Sequence, residues 1–224
     1  MRDLIGQEQF ELEVLDKLNS RKLLNKVVFC GGTMLRLCHG LNRFSVDLDF
    51  WLLTVIDEKG FFKNVRECLA QSYEITDAAM KFRTMLFEIR SKSYPRRLKL
   101  EFRREAKRVG AEKVIAYSPH STLQVMVTAA RLDDVMKSKV DAFLDRDEVR
   151  DLFDMEFLFK KGIPFDGIPV ERLRKVLGGM EKLRDRDYVN RLGPLLEAKE
   201  RAYYTKENFK ILKAGLTAAC DAER

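Results

Sequence analysis

Just inside the first quarter of the chain, aspartates fall on alternate positions of a strand-like run, Val46-Asp47-Leu48-Asp49-Phe50-Trp51-Leu52. Alternate side chains of a strand share a face. Val46, Leu48, Phe50 and Leu52 therefore make an apolar face, and Asp47 and Asp49 lie opposite it. Their Cα atoms should stand roughly 6.6–7 Å apart, a spacing at which two carboxylates can hold divalent cations on one side of a sheet. A lone Asp-x-Asp is more often a solvated surface strand. Here a second feature stands close upstream: the apolar run Val27-Val28-Phe29 stops at Gly31-Gly32. Paired glycines permit a tight turn and a close backbone approach to a ligand. Thr33 is placed to cap a following helix, whose free N–H groups would point at an anion beyond the turn. Strand, glycine turn, short helix and acidic strand outline a phosphate site beside a metal site, and two metals there can clamp the oxygens of a phosphoryl displacement.

The run Gly31-Gly32-Thr33-x-Leu35-Arg36-Leu37, followed by Arg43-Phe44-Ser45-x-Asp47-Leu48-Asp49-Phe50, resembles the signature of the AbiEii/AbiGii toxin family. That family belongs to the DNA polymerase β-like nucleotidyltransferase superfamily. The resemblance extends over roughly residues 25–160. It implies a third acid on a neighbouring strand, in a Lys-x-Asp arrangement. The segment 96–104 alternates Leu98, Leu100 and Phe102 with Arg97, Lys99, Glu101 and Arg103, so Lys99-Leu100-Glu101 matches with Glu in place of Asp. A second functional block is also implied: a lysine-bearing helix followed by an Arg-Asp-x-x-Asp helix. Lys139 and Asp151 match it by position, the lysine toward nucleotide phosphate and the acid completing the site, and Asp154 is a further acid that could orient a neighbour.

The rest of the chain reads as follows. Residues 7–24 form an amphipathic helix on Phe10, Val14, Leu15 and Leu18. Residues 57–70 form another, 81–90 a strand, and 114–117 and 123–128 two more, with Pro119 and His120 in the turn between them. Strand signals end near residue 130. Helices follow at 131–146 and 148–161, the second stopped by Gly162, and 169–224 is helical and basic. The fold class expected is α+β: a polymerase β-like nucleotidyltransferase mixed sheet with flanking helices over residues 1–129, and a C-terminal helical domain over 130–224 that closes over the active site. The net charge of +7 favours a polyanionic partner. Four cysteines without a C-x-x-C pair, and two histidines, offer no zinc pattern and suit a reducing cytoplasm. No apolar run is long enough for a membrane helix, and the first residues do not read as a signal peptide.

Together, the residues and the resemblance imply a metal-dependent nucleotidyltransferase. Asp47, Asp49 and Glu101 would bind Mg²⁺ or Mn²⁺. Gly31, Gly32, Thr33 and Ser45 would hold phosphate oxygens of an NTP, and Lys99 and Lys139 would offset charge that develops during transfer. Arg36 and Arg43 are either further phosphate contacts or packing ion pairs. The resemblance implies a toxin with a cognate antitoxin, acting on an RNA acceptor such as tRNA with release of pyrophosphate. A protein or small-molecule acceptor, or a nucleotide- or RNA-binding protein without turnover, are the other readings. The basic C-terminal helices are either a solvated face or a surface for RNA backbone.

Overall fold

A computed structural model describes residues 2–106 and 109–222. The chain separates into two compact units. One comprises residues 1–40 and 44–130, the other residues 41–43 and 131–224.

In the first unit, helix α1 (Arg2–Ser20) leads through a short 3-10 turn into strand β1 (Val27–Cys30). The helix ends four residues earlier than its apolar spacing suggests. Lys22 turns left-handed, with φ of 57°, and the chain tightens to bury Leu23 and Leu24. Helix α2 (Gly31–His39) follows, then β2 (Asp47–Leu52), α3 (Glu58–Ala70), β3 (Glu74–Met80), β4 (Thr84–Arg90), β5 (Leu98–Ala106), β6 (Ala111–Tyr117) and β7 (Gln124–Ala130). Asp57 caps α3, its carboxylate accepting from the Gly60 N–H at 3.1 Å. Strand β3 carries no fully buried residue. Without an apolar alternation it gave no sequence signal.

The strands form one mixed sheet in the order β3-β4-β5-β2-β1-β7-β6. β2 runs antiparallel to β1 and parallel to β5. The register places Phe29 opposite Phe50 and Phe50 opposite Phe102. Their rings form a row across three strands, with centroids 5.3 and 4.8 Å apart, and Phe61 of α3 meets Phe102 edge-on. All four are buried, and each such burial stabilises the fold by about 1.5–3 kcal/mol. This row fixes which way β2 faces. With Leu48 and Phe50 turned into the core, Asp47 and Asp49 must lie on the other side.

The second unit is helical: α4 (Leu132–Arg146), α5 (Val149–Lys160), α6 (Val170–Met180), a turn of π-helix (Asp187–Leu192) running into a 3-10 turn (Gly193–Leu195), α7 (Ala198–Glu207) and α8 (Lys210–Asp221). Residues 169–224 are thus helical in pieces, and the last two lie outside the described residues. Phe153, Tyr204 and Phe209 pack in sequence, with centroids 4.8 and 5.4 Å apart. The segment 41–43 belongs to this unit through Arg43, which makes an isolated antiparallel bridge with Leu196. Among the described residues, no helix is long and apolar enough to cross a membrane.

Candidate active site

The β2–β5 register builds the acidic face. Asp47 stands opposite Lys99, and Asp49 opposite Glu101. All four side chains are partly exposed, while their neighbours Leu48, Phe50, Leu100 and Phe102 are buried. Lys99 Nζ lies 3.3 Å from Glu101 Oε2 and 3.9 Å from Asp47 Oδ2. Partial burial alone would lower the pKa of this ammonium. Asp47, Glu101 and Asp49 outweigh that and hold it above its ordinary value.

Gly31 closes one side of the face. Its φ is +80°, a conformation that L side chains rarely adopt, and a Cβ there would stand 2.5 Å from Asp49 Oδ2. The start of α2 therefore approaches the Asp49 carboxylate more closely than any other residue type allows. The cap expected of Thr33 is not observed. The helix begins at Gly31 with extended Cys30 as its N-cap, and no side chain caps it. Thr33 lies inside the first turn, fully buried, and its hydroxyl donates to the Asp47 carbonyl at 2.6 Å. It ties α2 to the first residue of β2. Gly32 is buried beside it, and Ser45 is half-buried in the loop before β2.

Three polar residues of α1 were missed by sequence reasoning. Gln7, Glu8 and Glu11 are buried on the stripe that also carries Leu4, Phe10, Val14 and Leu18. Polar residues interrupting an apolar stripe at helical spacing were the available signal. Gln7 Nε2 donates to the carbonyls of Val46 at 3.2 Å and Arg97 at 3.3 Å, clamping the chain just ahead of β2 and β5. Glu8 accepts from Arg36 and from Ser118 Oγ. The Arg36 guanidinium also lies over the Phe44 ring, 3.8 Å from its centroid. Arg36 thus takes part in an ion pair and a stack. Glu11 is fully buried, and no hydrogen-bond partner reaches either carboxylate oxygen. Burial first, then the nearby charges of Glu8 and Asp47, push its pKa well above the ordinary carboxylate range, with Arg36 opposing.

The remaining predicted residues converge in the helical unit. Asp154 is fully buried and receives Arg43 through two hydrogen bonds of 2.6 Å. Lys139 Nζ lies 2.6 Å from Asp154 Oδ2 and 3.3 Å from Asp151 Oδ1. Arg146 forks onto Asp151 with two bonds of 2.9 Å. Burial alone would raise the Asp154 pKa, but Arg43 and Lys139 outweigh it and hold the carboxyl below its usual value. Two buried acids and three cations form one network, in which Asp154 has as large a part as Asp151.

Among the described residues, no three His, Cys, Asp or Glu side chains close round a point that would hold a metal ion. Asp47, Asp49 and Glu101 form an open acidic face with Lys99 among them. The donor chemistry fits a hard divalent cation, since every ligand on offer is a carboxylate oxygen. The position of Lys99 shows that the face stabilises positive charge.

Residues 13–216 match the family model described as the nucleotidyl transferase AbiEii toxin of a type IV toxin–antitoxin system. No curated protein matches the chain. Among solved structures, a Helicobacter pylori protein provisionally described as a nucleotidyltransferase superposes with a TM-score of 0.59 at 22% identity, covering 94% of this chain and 97% of its own. JHP933 of H. pylori gives 0.54 at 22% identity, covering 93% and 96%. MenT4, a nucleotidyltransferase toxin of Mycobacterium tuberculosis H37Rv, gives 0.53 at 18% identity, covering 96% and 87%.

Proposed function

The chain belongs to the AbiEii nucleotidyltransferase toxin family, and from that premise we propose that it moves a nucleoside monophosphate from an NTP to an RNA acceptor such as tRNA, with pyrophosphate leaving. The observation that carries this reading is the register of β2 against β5, which brings Asp47, Asp49, Glu101 and Lys99 onto one face at the start of α2. Asp47, Asp49 and Glu101 would hold Mg²⁺ or Mn²⁺. Such a cation, when bound, neutralises triphosphate charge and fixes the reacting oxygens.

The chain's own groups have distinct tasks in this reading. Gly31 and Gly32 present backbone N–H groups to phosphate oxygens at the positive end of α2, and Ser45 adds a hydroxyl from the adjoining loop. Thr33 acts through Asp47, whose carbonyl it holds. Lys99 would offset charge beside Asp47 and Glu101, and one carboxylate, Glu101 in this reading, would take the acceptor's proton. Lys139, held extended by Asp151 and Asp154, supplies a fixed cation for the departing pyrophosphate. A cation favoured in the transition state more than in the ground state raises turnover. That task requires the helical domain to close over the sheet. Arg36 and Arg43 serve as packing ion pairs with Glu8 and Asp154. The net charge of +7 favours a nucleic-acid acceptor over a small molecule, family membership points to a restraining antitoxin, and four free cysteines suit a cytoplasmic site of action.

The test is incubation with each radiolabelled NTP, Mg²⁺, total RNA and cell lysate. Label should enter RNA, and Asp47→Ala and Asp49→Ala should each abolish incorporation at unchanged melting temperature, because neither side chain fills the core. Label entering only protein, or full incorporation by either variant, would overturn the proposal.

A further inference from the structure

The turn between β3 and β4 is Lys81-Phe82-Arg83, and its ring points into water: Phe82 is 90% exposed. The phenylalanines on the strands of this sheet, Phe29, Phe50, Phe87 and Phe102, are buried. Single exposed apolar side chains are common, so exposure alone carries little. The bracing of the turn and the charge around it carry more. Arg104 of β5 donates Nη1 to the carbonyls of Lys81 at 2.8 Å and Phe82 at 3.2 Å. Its guanidinium is itself held by Glu58, through Nε at 2.7 Å and Nη2 at 2.6 Å. Two backbone bonds finish the clamp, Lys81 N–H to the Thr84 carbonyl at 2.8 Å and Arg104 N–H to the Arg83 carbonyl at 2.9 Å. The turn is thus fixed, and the exposed ring is presented at little further cost in ordering.

Cations flank the ring. Lys81 and Arg83 are its sequence neighbours, and both are exposed. Exposed Arg103 pairs with Thr84, the residue next after Arg83. Arg103 also lies two residues beyond Glu101 on β5, so it shares the acidic face, roughly 6.6–7 Å further along. A fixed aromatic ring among cations, continuous with that face, has the chemistry of a single-strand contact, where bases stack on aromatic faces and Lys or Arg track the phosphates. A protein partner would call for apolar surface around the anchor and depletion of charge at its centre. Here Met80 is the apolar neighbour and the rest of the turn is basic.

We infer that the β3–β4 turn is a contact for the RNA acceptor, with Phe82 stacking on an unpaired base while Lys81, Arg83 and Arg103 meet the flanking phosphates. The inference rests on the RNA reading above and adds where the acceptor touches the chain.

The experiment measures binding of a fluorescein-labelled single-stranded RNA to the full chain, beside a duplex of the same sequence. Phe82→Ala should weaken single-strand binding by roughly 5- to 150-fold, the range for losing one base–aromatic stack, and leave duplex binding and melting temperature close to wild type. Lys81→Ala with Arg83→Ala should flatten the log–log salt dependence by about 1.4, two phosphate contacts on a single strand. Phe82→Trp should keep the affinity, and its exposed indole should be quenched by RNA. Trp51, the sole native tryptophan, is 4% exposed, so its emission should form a constant background that contact with RNA leaves unchanged. Equal single-strand affinity for wild type and Phe82→Ala, with wild-type RNA labelling intact, overturns this inference and leaves the RNA reading standing. Failure of the wild-type chain to bind or label any RNA overturns both. Loss of a protein partner with RNA affinity unchanged would make the turn a protein interface instead.

Discussion

Replacing Gly31 by alanine separates backbone strain from displacement of the site, because the molecule carries its own control. Gly31 and Gly40, at the two ends of α2, have nearly the same positive φ, +80° and +78°. Alanine at either position costs about 1–2 kcal/mol of conformational strain, or a fall in melting temperature of roughly 2–8 °C for a chain of this size. The surroundings differ. A Cβ on Gly40 meets nothing within 4 Å, whereas one on Gly31 stands 2.5 Å from Asp49 Oδ2. The Asp49 carboxylate must retreat by about 1 Å to restore ordinary contact, and a displacement of that size at a reacting centre costs on the order of 10²-fold in rate. The assay is single-turnover NTP label incorporation at saturating acceptor, with melting temperature measured on the same preparations. Both variants should lose the shared strain, and Gly31→Ala should lose more, because its Cβ would also stand 3.0 Å from the Asp49 Cβ. Gly31→Ala should lose about two orders of magnitude in rate, and Gly40→Ala should stay near wild type. Wild-type turnover by Gly31→Ala, or an equal loss in Gly40→Ala, would refute the idea that α2 is set against Asp49 for catalysis.

Asp154→Ala leaves buried Arg43 and Lys139 short of a counter-charge and should cost about 3–5 kcal/mol in urea unfolding; a loss below ~1 kcal/mol would contradict the network. Because the folded Asp154 pKa is depressed, its contribution is present above the unfolded value of about 3.9 and is lost as pH falls through the folded value. Glu11 has the opposite sign. Its folded pKa is raised, so its contribution is fully present below the unfolded value of about 4.3 and is lost as pH rises through the folded value. Glu11→Gln should therefore gain on wild type as pH rises, and parallel stability–pH profiles for the two would rule this out.

The legible parts of this fold were those where period and chemistry agree. Leu48 and Phe50 alternate with Asp47 and Asp49, and Leu100 and Phe102 with Lys99 and Glu101. Each strand therefore declares its core face, and the residues left over form the acidic face. The two helices bearing Lys139, Arg146, Asp151 and Asp154 were legible as elements, but the family resemblance, and not the helical period, singled out Lys139 and Asp151. What escaped was set by partners distant in sequence. Thr33 read as a cap because local chemistry favours one, and its hydroxyl instead found a carbonyl on β2. Glu8 and Glu11 were not singled out, since the strands and helix that bury them arrive later in the chain. Arg43 could be reduced to a phosphate contact or an ion pair, but not assigned to the helical unit, because its acid lies 111 residues away.

That last placement bears on how the chain is made. The polypeptide leaves the sheet unit after Gly40, gives residues 41–43 to the helical unit, and resumes the sheet at Phe44. A ribosome therefore releases Arg43 long before Asp154, which lies 111 residues further on, exists. Cutting the gene at the 130/131 junction would not yield two self-sufficient pieces. The downstream piece would keep Asp154 and Lys139 without the Arg43 guanidinium, and the upstream piece would carry Arg43 without Asp154. In genetic terms the helical unit is not a module that can be appended, lost or exchanged at one boundary, because three of its residues are encoded inside its neighbour.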